Sequence, residues 1–181
     1  MKINSTGCRL AATGILLITG SLGFGETGTL KVKATTGRAG VFVDDKYIGP
    51  AANFGVTRSY AVEAGEHTIT LREPRYEMAT SHVTVVAKKT VTVKIDLKAL
   101  PEPKGPFGRL RVAGAEKYAA VYVNGGYMGH ADEFDNFAQG LLLPAGSYTV
   151  KIVSVSGAPL VEQSVDLKAN ATVIVHATGK A

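Results

Sequence analysis

The run Val41-Phe42-Val43-Asp44-Asp45-Lys46-Tyr47-Ile48-Gly49 returns eighty residues later, without a gap, as Val121-Tyr122-Val123-Asn124-Gly125-Gly126-Tyr127-Met128-Gly129. Each copy is a pair of short apolar stretches around a two-residue corner. Asn124-Gly125 is the strongest short-range hairpin signal, because both central residues of a type I′ turn need positive φ. Asp44-Asp45 fills the same corner in the first copy. Outward from the hairpin at the same offset, Gly28, Leu30 and Val32 fall on Gly108, Leu110 and Val112, and Phe54 falls on Phe134. A one-residue insertion then brings Ala64-Gly65-Glu66-His67-Thr68-Ile69 onto Ala145-Gly146-Ser147-Tyr148-Thr149-Val150. Self-similarity at a fixed period of this kind marks a repeated structural unit.

Within a copy, Leu30/Val32/Ala34, Val41/Val43, Ile69/Leu71, Val83/Val85 and Val91/Val93/Ile95/Leu97 recur at period two, the spacing that buries one face of a strand. No helical periodicity follows the N-terminal segment, and Val alternates with Thr and Lys between frequent Gly and Pro, a β composition. The expected fold class is all-β: two tandem small antiparallel β-sandwiches behind a leader. Between the copies, Pro101, Pro103 and Pro106 deny ladder hydrogen bonds and favour an extended spacer. The expected organisation is a signal peptide over 1–25, a first sandwich over 26–98, a linker over 99–107 and a second sandwich over 108–181. A copy of about 70 residues is near the lower limit for an independent core, which leaves room for the copies to support each other.

The N-terminus reads as a cleavable leader, with an uncleaved N-terminal anchor as the alternative. Lys2 and Arg9 precede an uncharged run from Leu10 to Leu22, too short to span a hydrocarbon core of about 30 Å. Gly23 and Gly25 place small residues at the −3 and −1 positions of a cut before Glu26. Removal of Lys2 and Arg9 takes the formal charge from +5 to +3, so the basic balance is modest. Cys8, the only cysteine, lies ahead of the apolar run, too early for lipidation at a cleavage point, and the mature chain has no thiol for a disulfide or a metal. No later segment approaches a membrane span. An exported chain follows: periplasmic, at the cell surface or extracellular.

The order of a Gly-x-Leu-x-Val opening, a Val-aromatic-Val-Asp/Asn hairpin ending in Gly, and a Gly followed by an alternating strand resembles the PEGA domain in both copies. Val62-Glu63-Ala64-Gly65-Glu66-His67 and Leu143-Pro144-Ala145-Gly146-Ser147-Tyr148 stand at the signature; they keep its Gly and the strand after it but not the literal Pro-Glu-Gly-Ala. The second copy carries a longer, acidic stretch after its hairpin. The resemblance implies a transthyretin-type sandwich of bacterial or archaeal envelope and surface proteins, often repeated, and an accessory or interaction module without catalytic residues.

The stretch Ala131-Asp132-Glu133-Phe134-Asp135-Asn136-Phe137 is the most site-like. Asp132, Glu133 and Asp135 beside Asn136 are the residue types that bind a hard cation, yet Phe134 stands where the next ligand of an EF-hand would be. A solvated loop over Phe134 and Phe137 is the plainer expectation, and His130 nearby is matched by Pro50 in the first copy. His67 shares a strand face with Ile69 and Leu71 and is expected to be partly buried; His82 lies on a polar face, and no two histidines have ligand spacing. Asp44, Asp45, Phe54, Asn124, His130, Asp132, Glu133, Phe134, Asp135 and Phe137 are the expected binding-loop residues, because loops on a rigid scaffold carry recognition. The strand within Lys88–Lys98 sets Lys and Thr against Val, Ile and Leu, either a charge-protected edge or an acceptor for an added partner strand.

Composition excludes several classes. No Gly-x-Ser-x-Gly elbow, phosphate loop or dinucleotide fingerprint is present, and Asp44 and Asp45 are adjacent turn formers rather than carboxylates across a cleft. No enzyme activity and no cofactor are expected. Without Trp, and with dispersed basic residues, no nucleic-acid partner is expected either. The expected function is a non-enzymatic envelope or secreted interaction module whose partner is an envelope protein or polysaccharide. The alternative is a carbohydrate-binding module, for which only Tyr47, Tyr60, Tyr76, Tyr118, Tyr122, Tyr127 and the phenylalanines offer platforms.

Overall fold

Alternation becomes strands almost wherever it occurs, and the strands repeat in the same order in both halves. The computed structural model describes residues 25–55, 58–136 and 138–177. The first repeat holds β1 (Thr27–Ala34), β2 (Gly40–Val43), β3 (Lys46–Pro50), β4 (Tyr60–Glu63), β5 (Gly65–Arg72), β6 (Ala79–Val85) and β7 (Thr90–Ile95). The second holds β8 (Phe107–Ala113), β9 (Ala120–Val123), β10 (Gly126–His130), β11 (Leu141–Pro144), β12 (Gly146–Val153), β13 (Pro159–Leu167) and β14 (Thr172–His176). The expected leader, apart from Gly25, lies outside the described residues. Among the described residues no helix is long and apolar enough to cross a membrane.

Each repeat is a two-sheet sandwich. In the first, a three-stranded sheet in the order β4-β1-β7 lies against a four-stranded sheet in the order β3-β2-β5-β6. In the second, β11-β8-β14 and β10-β9-β12-β13 repeat the plan. The core of the first repeat joins Leu30, Val32, Val62, Val93 and Ile95 from one sheet to Val41, Val43, Ile48, Ile69, Leu71 and Val85 from the other. The core of the second is built by their counterparts Leu110, Val112, Leu143, Val175 and Ala177 against Val121, Val123, Val150, Ile152 and Leu167, with Met128, the counterpart of Ile48, partly buried against it. The Gly of each Gly-x-Leu-x-Val opening is required by this packing. A Cβ on Gly28 would lie 2.5 Å from Val85 and 2.6 Å from the Val86 carbonyl, and one on Gly108 would lie 2.5 Å from both Leu167 and the Lys168 carbonyl.

Not all pairing is antiparallel. β7 runs parallel to β1, with Val32 opposite Val93, and β14 runs parallel to β8, with Val112 opposite Val175. After β6 the chain leaves the four-stranded sheet and enters the other sheet in the direction of β1. Period-two alternation reports which face is buried and nothing about strand direction, so it was blind to this.

The segment between the repeats is anchored at both ends. Glu77 donates its amide to the Lys98 carbonyl (2.8 Å) and Leu100 donates to Arg75 (2.7 Å), while Tyr76 and Ala99 form an isolated bridge. On the far side, Phe107 already begins β8 and its carbonyl accepts from Asn170 at 2.8 Å.

Candidate functional site

The two hairpin corners hold the same backbone with different side chains. Asp44 and Asp45 have φ of 48° and 63°, and Asn124 and Gly125 have φ of 48° and 79°, as a type I′ turn demands. Asp44 Oδ1 accepts from the Thr68 amide at 2.8 Å, and Asn124 Oδ1 accepts from the Thr149 amide at 2.9 Å. In the first repeat, His67 adds a second layer. Its Nε2 donates to the Glu63 carbonyl (2.9 Å) and its Nδ1 lies 2.6 Å from Asp44 Oδ2. Both ring nitrogens therefore face acceptors, and the imidazolium is the form that satisfies both. The bond to Asp44 raises the His67 pKa above its ordinary value; the Thr68 amide, then His67, lower that of Asp44. In the second repeat Tyr148 stands for His67, and its hydroxyl donates to the Pro144 carbonyl at 2.7 Å with no charge involved.

The post-hairpin segments fold inward. Ala51–Phe54 and Ala131–Glu133 are short 3-10 turns, tied down by Ala51 donating to Ala39 at 2.8 Å and Ala131 donating to Ala119 at 2.9 Å. Phe54 and Phe134 are buried in their respective cores and offer no surface to a partner. His130 is buried as well, with its ring 5.7 Å from that of Tyr118. Asp132 points to solvent, 3.7 Å from Lys117, and Asp135 is exposed. Glu133 instead turns under the loop. Its Oε2 meets Arg38 Nε of the first repeat at 2.8 Å, and its Oε1 lies 2.8 Å from His130 Nδ1 without hydrogen-bond alignment. The three carboxylates thus diverge, and no group of three metal-ligating side chains forms among the described residues. Phe137 lies outside the described residues. Asp45 is exposed and reaches Arg72 at 3.2 Å.

The sequence reading missed what joins the repeats. Phe42 and Tyr47 of the first repeat, with Ala120 and Tyr127 of the second, form a third buried cluster, flanked by Tyr122 and Val155. The Phe42 and Tyr127 rings meet edge-to-face at 5.5 Å, Tyr47 and Tyr127 lie 5.4 Å apart, and the Arg72 guanidinium sits 4.3 Å above Phe42. At the repeat offset Phe42 corresponds to Tyr122 and Tyr47 to Tyr127, so the seam is built from equivalent outer positions of the two four-stranded sheets. Gly40 makes the approach possible, since a Cβ there would fall 2.5 Å from the Tyr127 ring. Burial pushes the Tyr47 and Tyr127 phenols up; each hydroxyl influences the other, yet neither meets hydrogen-bond geometry. Phe42 and Tyr122 alternate with Val41, Val43, Val121 and Val123, and Tyr47 and Tyr127 stand next to the core-side Ile48 and Met128, so local pattern assigns all four to the solvent face. The readable signal was an aromatic on that outward face in both copies.

Two tyrosines of the carbohydrate platform, Tyr47 and Tyr127, are consequently buried, and Tyr60 and Tyr76 pack partly against the first core. β7, within Lys88–Lys98, is a sheet edge with Thr90, Thr92 and Lys94 exposed.

Residues 27–100 match the family model of the PEGA domain. No curated protein matches the chain. Among solved structures, the chain is similar to the Bacillus anthracis TIE protein at 16% identity and a TM-score of 0.32, covering 83% of this chain and 34% of that one. It is also similar to a streptococcal ancillary pilin at 14% identity and a TM-score of 0.29, covering 86% of this chain and 63% of that one. The chain thus spans about a third of the first and less than two thirds of the second, and neither similarity extends to function.

Proposed function

We propose, from the match of residues 27–100 to the PEGA domain model, that the chain is a non-enzymatic, exported scaffold of the cell envelope that binds an envelope protein. The observation that carries this reading is the aromatic seam. It holds the two sandwiches face to face and sets their exposed loop residues, Asp45 in one repeat and Asp132 and Asp135 in the other, on one body. Two contacts on one body engage an extended partner at higher effective concentration than either alone. The polar groups that resemble chemistry are tied to structural contacts, His67 with Asp44 and Glu133 with Arg38, which supports a binding rather than a catalytic role. The burial of Tyr47 and Tyr127 weighs against the carbohydrate reading, which depends on exposed rings.

Pull-down from envelope extract with the whole chain, followed by mass spectrometry, tests the proposal. Asp132→Ala/Asp135→Ala should weaken capture of a specific protein while leaving the melting temperature within a few degrees, and Lys88→Glu/Lys94→Glu should leave capture intact. The reverse pattern would move the site to the β7 edge, and retention by polysaccharide alone would replace the protein partner. Glu133 does not belong in this variant set, because its truncation would cut the Arg38 contact between the repeats.

A further inference from the structure

The outer strands of the four sheets differ in how they are protected. An outer strand presents unpaired backbone donors and acceptors, and proteins blunt it with charge, proline, a bulge or short length. β3 carries Lys46 and Pro50, and β7 carries Lys94. β4 and β11 have four residues each, and β11 ends in Pro144. β10 is bulged between Tyr127 and Gly129, and β14 has five residues. β13 begins at Pro159, carries Glu162 and Asp166, and pairs with β12 through a register shift at Ile152/Val153.

β6, which occupies the same place in the first repeat as β13 in the second, has none of these devices. Its seven residues, Ala79-Thr80-Ser81-His82-Val83-Thr84-Val85, include no Asp, Glu, Lys, Arg or Pro. It pairs with β5 in unbroken register from Gly65↔Val85 to Leu71↔Ala79. Among the described residues, no strand pairs with its other side. The core-facing Ala79, Ser81 and Val83 remain only half-buried there, as expected of a row that lacks its outer neighbour.

We propose that β6 is a self-association edge, at which it pairs antiparallel with β6 of a second copy to join two four-stranded sheets across a twofold axis. The choice of occupant rests on charge and parity. A strand without Asp, Glu, Lys or Arg meets its own copy without opposing such charges, whereas β7, β13 and β3 would bring Lys94, Glu162 and Asp166, or Lys46, close to their own kind. Opposed residues of a twofold pair must share a sheet face, so the axis passes through a residue, and only a centre at His82 pairs all seven positions. That register sets His82 against its own copy, Ala79 against Val85, Thr80 against Thr84 and Ser81 against Val83, with no Asp, Glu, Lys or Arg in any pair. The interface is small, so association is weak, with a Kd between about 1 µM and 1 mM.

Sedimentation equilibrium of the full mature chain up to about 1 mM tests this. A dimer is expected, and Thr80→Lys/Thr84→Lys, which sets lysines opposite each other in the proposed register, should raise its Kd at least tenfold with the circular dichroism spectrum retained. His82→Cys in the same mature chain, which holds no other cysteine, should cross-link copy to copy with a short bis-maleimide, while Ser164→Cys at the corresponding place in β13 should not. A monomer throughout the range, a dimer indifferent to the lysine pair, or equal cross-linking from Ser164→Cys would each overturn the proposal. Should the lysine variant lose its fold, the two cysteine variants decide.

Discussion

The two hairpin corners meet one bonding requirement with different chemistry. Both need a side-chain oxygen for the amide of the neighbouring strand and a donor for a carbonyl four residues before it. The first repeat uses Asp44 and His67, and the second uses Asn124 and Tyr148. Geometry is preserved while charge is not, so the sandwich plan tolerates either solution and only the first can respond to pH. The contrast also extends to the outer strands, where β13 is protected and β6 is not. The repeats share a core and differ at their margins.

The strongest way to break this picture is to remove what couples the halves. Tyr127→Ala should cost about 3–5 kcal/mol, the usual range for truncating a buried aromatic. It should also separate one calorimetric transition into two, since Tyr127 belongs to one repeat and packs on Phe42 and Tyr47 of the other. A single unshifted transition would mean that the seam contributes nothing.

Gly40→Ala sharpens the comparison at the same place. Its new methyl group meets the Tyr127 ring at 2.5 Å, so overpacking should cost about 1–3 kcal/mol by urea unfolding. Ala120, the counterpart of Gly40, is fully buried in the same seam and carries the methyl group that Gly40 has no room for.

Exchange of the corner chemistry should move pH dependence between repeats. The raised pKa of His67 gives a contribution that is complete below the unfolded value of about 6.5 and is lost as pH rises through the higher folded value. The lowered pKa of Asp44 gives one that is complete above about 3.9 and is lost as pH falls through the lower folded value. The pair is therefore most stabilising between these limits. With the Asp44 side chain 52% exposed, solvent screening keeps its worth below about 1 kcal/mol. Asp44→Asn/His67→Tyr should flatten the urea midpoint between pH 4 and 9, and Asn124→Asp/Tyr148→His should add a slope. Equal profiles in all three proteins would place the pH response elsewhere.

The smallest effect belongs to Asp45→Ser. Its carboxylate is 87% exposed and reaches Arg72 at 3.2 Å, so removing it should change stability by less than about 0.5 kcal/mol in thermal melts. A larger loss would show that Asp45 fixes Arg72 over Phe42 and so acts on the seam.

Much of the molecule was legible along the chain because its rules are local. Leu30 and Val32, or Ile69 and Leu71, point to one face by period two alone, and Asn124-Gly125 specifies its turn by backbone sterics. Repetition at an offset of eighty then doubled every inference. The candidate loop was read less completely. Asp132 and Asp135 are exposed as expected of a solvated loop, but Glu133 gives no local hint that it turns under that loop toward Arg38, nearly a hundred residues earlier.

The sequence by itself determined the sandwich plan, its duplication and the position of both hairpins, because burial patterns and turn sterics act between near neighbours. Only the tertiary structure decided that β7 and β14 run parallel to β1 and β8, and that Phe42, Tyr47, Tyr122 and Tyr127 face one another rather than water. It alone also decided that, among the described residues, no strand covers the outer side of β6. Strand direction, sheet order and the meeting of two outer faces are relations between distant segments, and alternation carries the same period whether a second surface lies beyond the strand or solvent does.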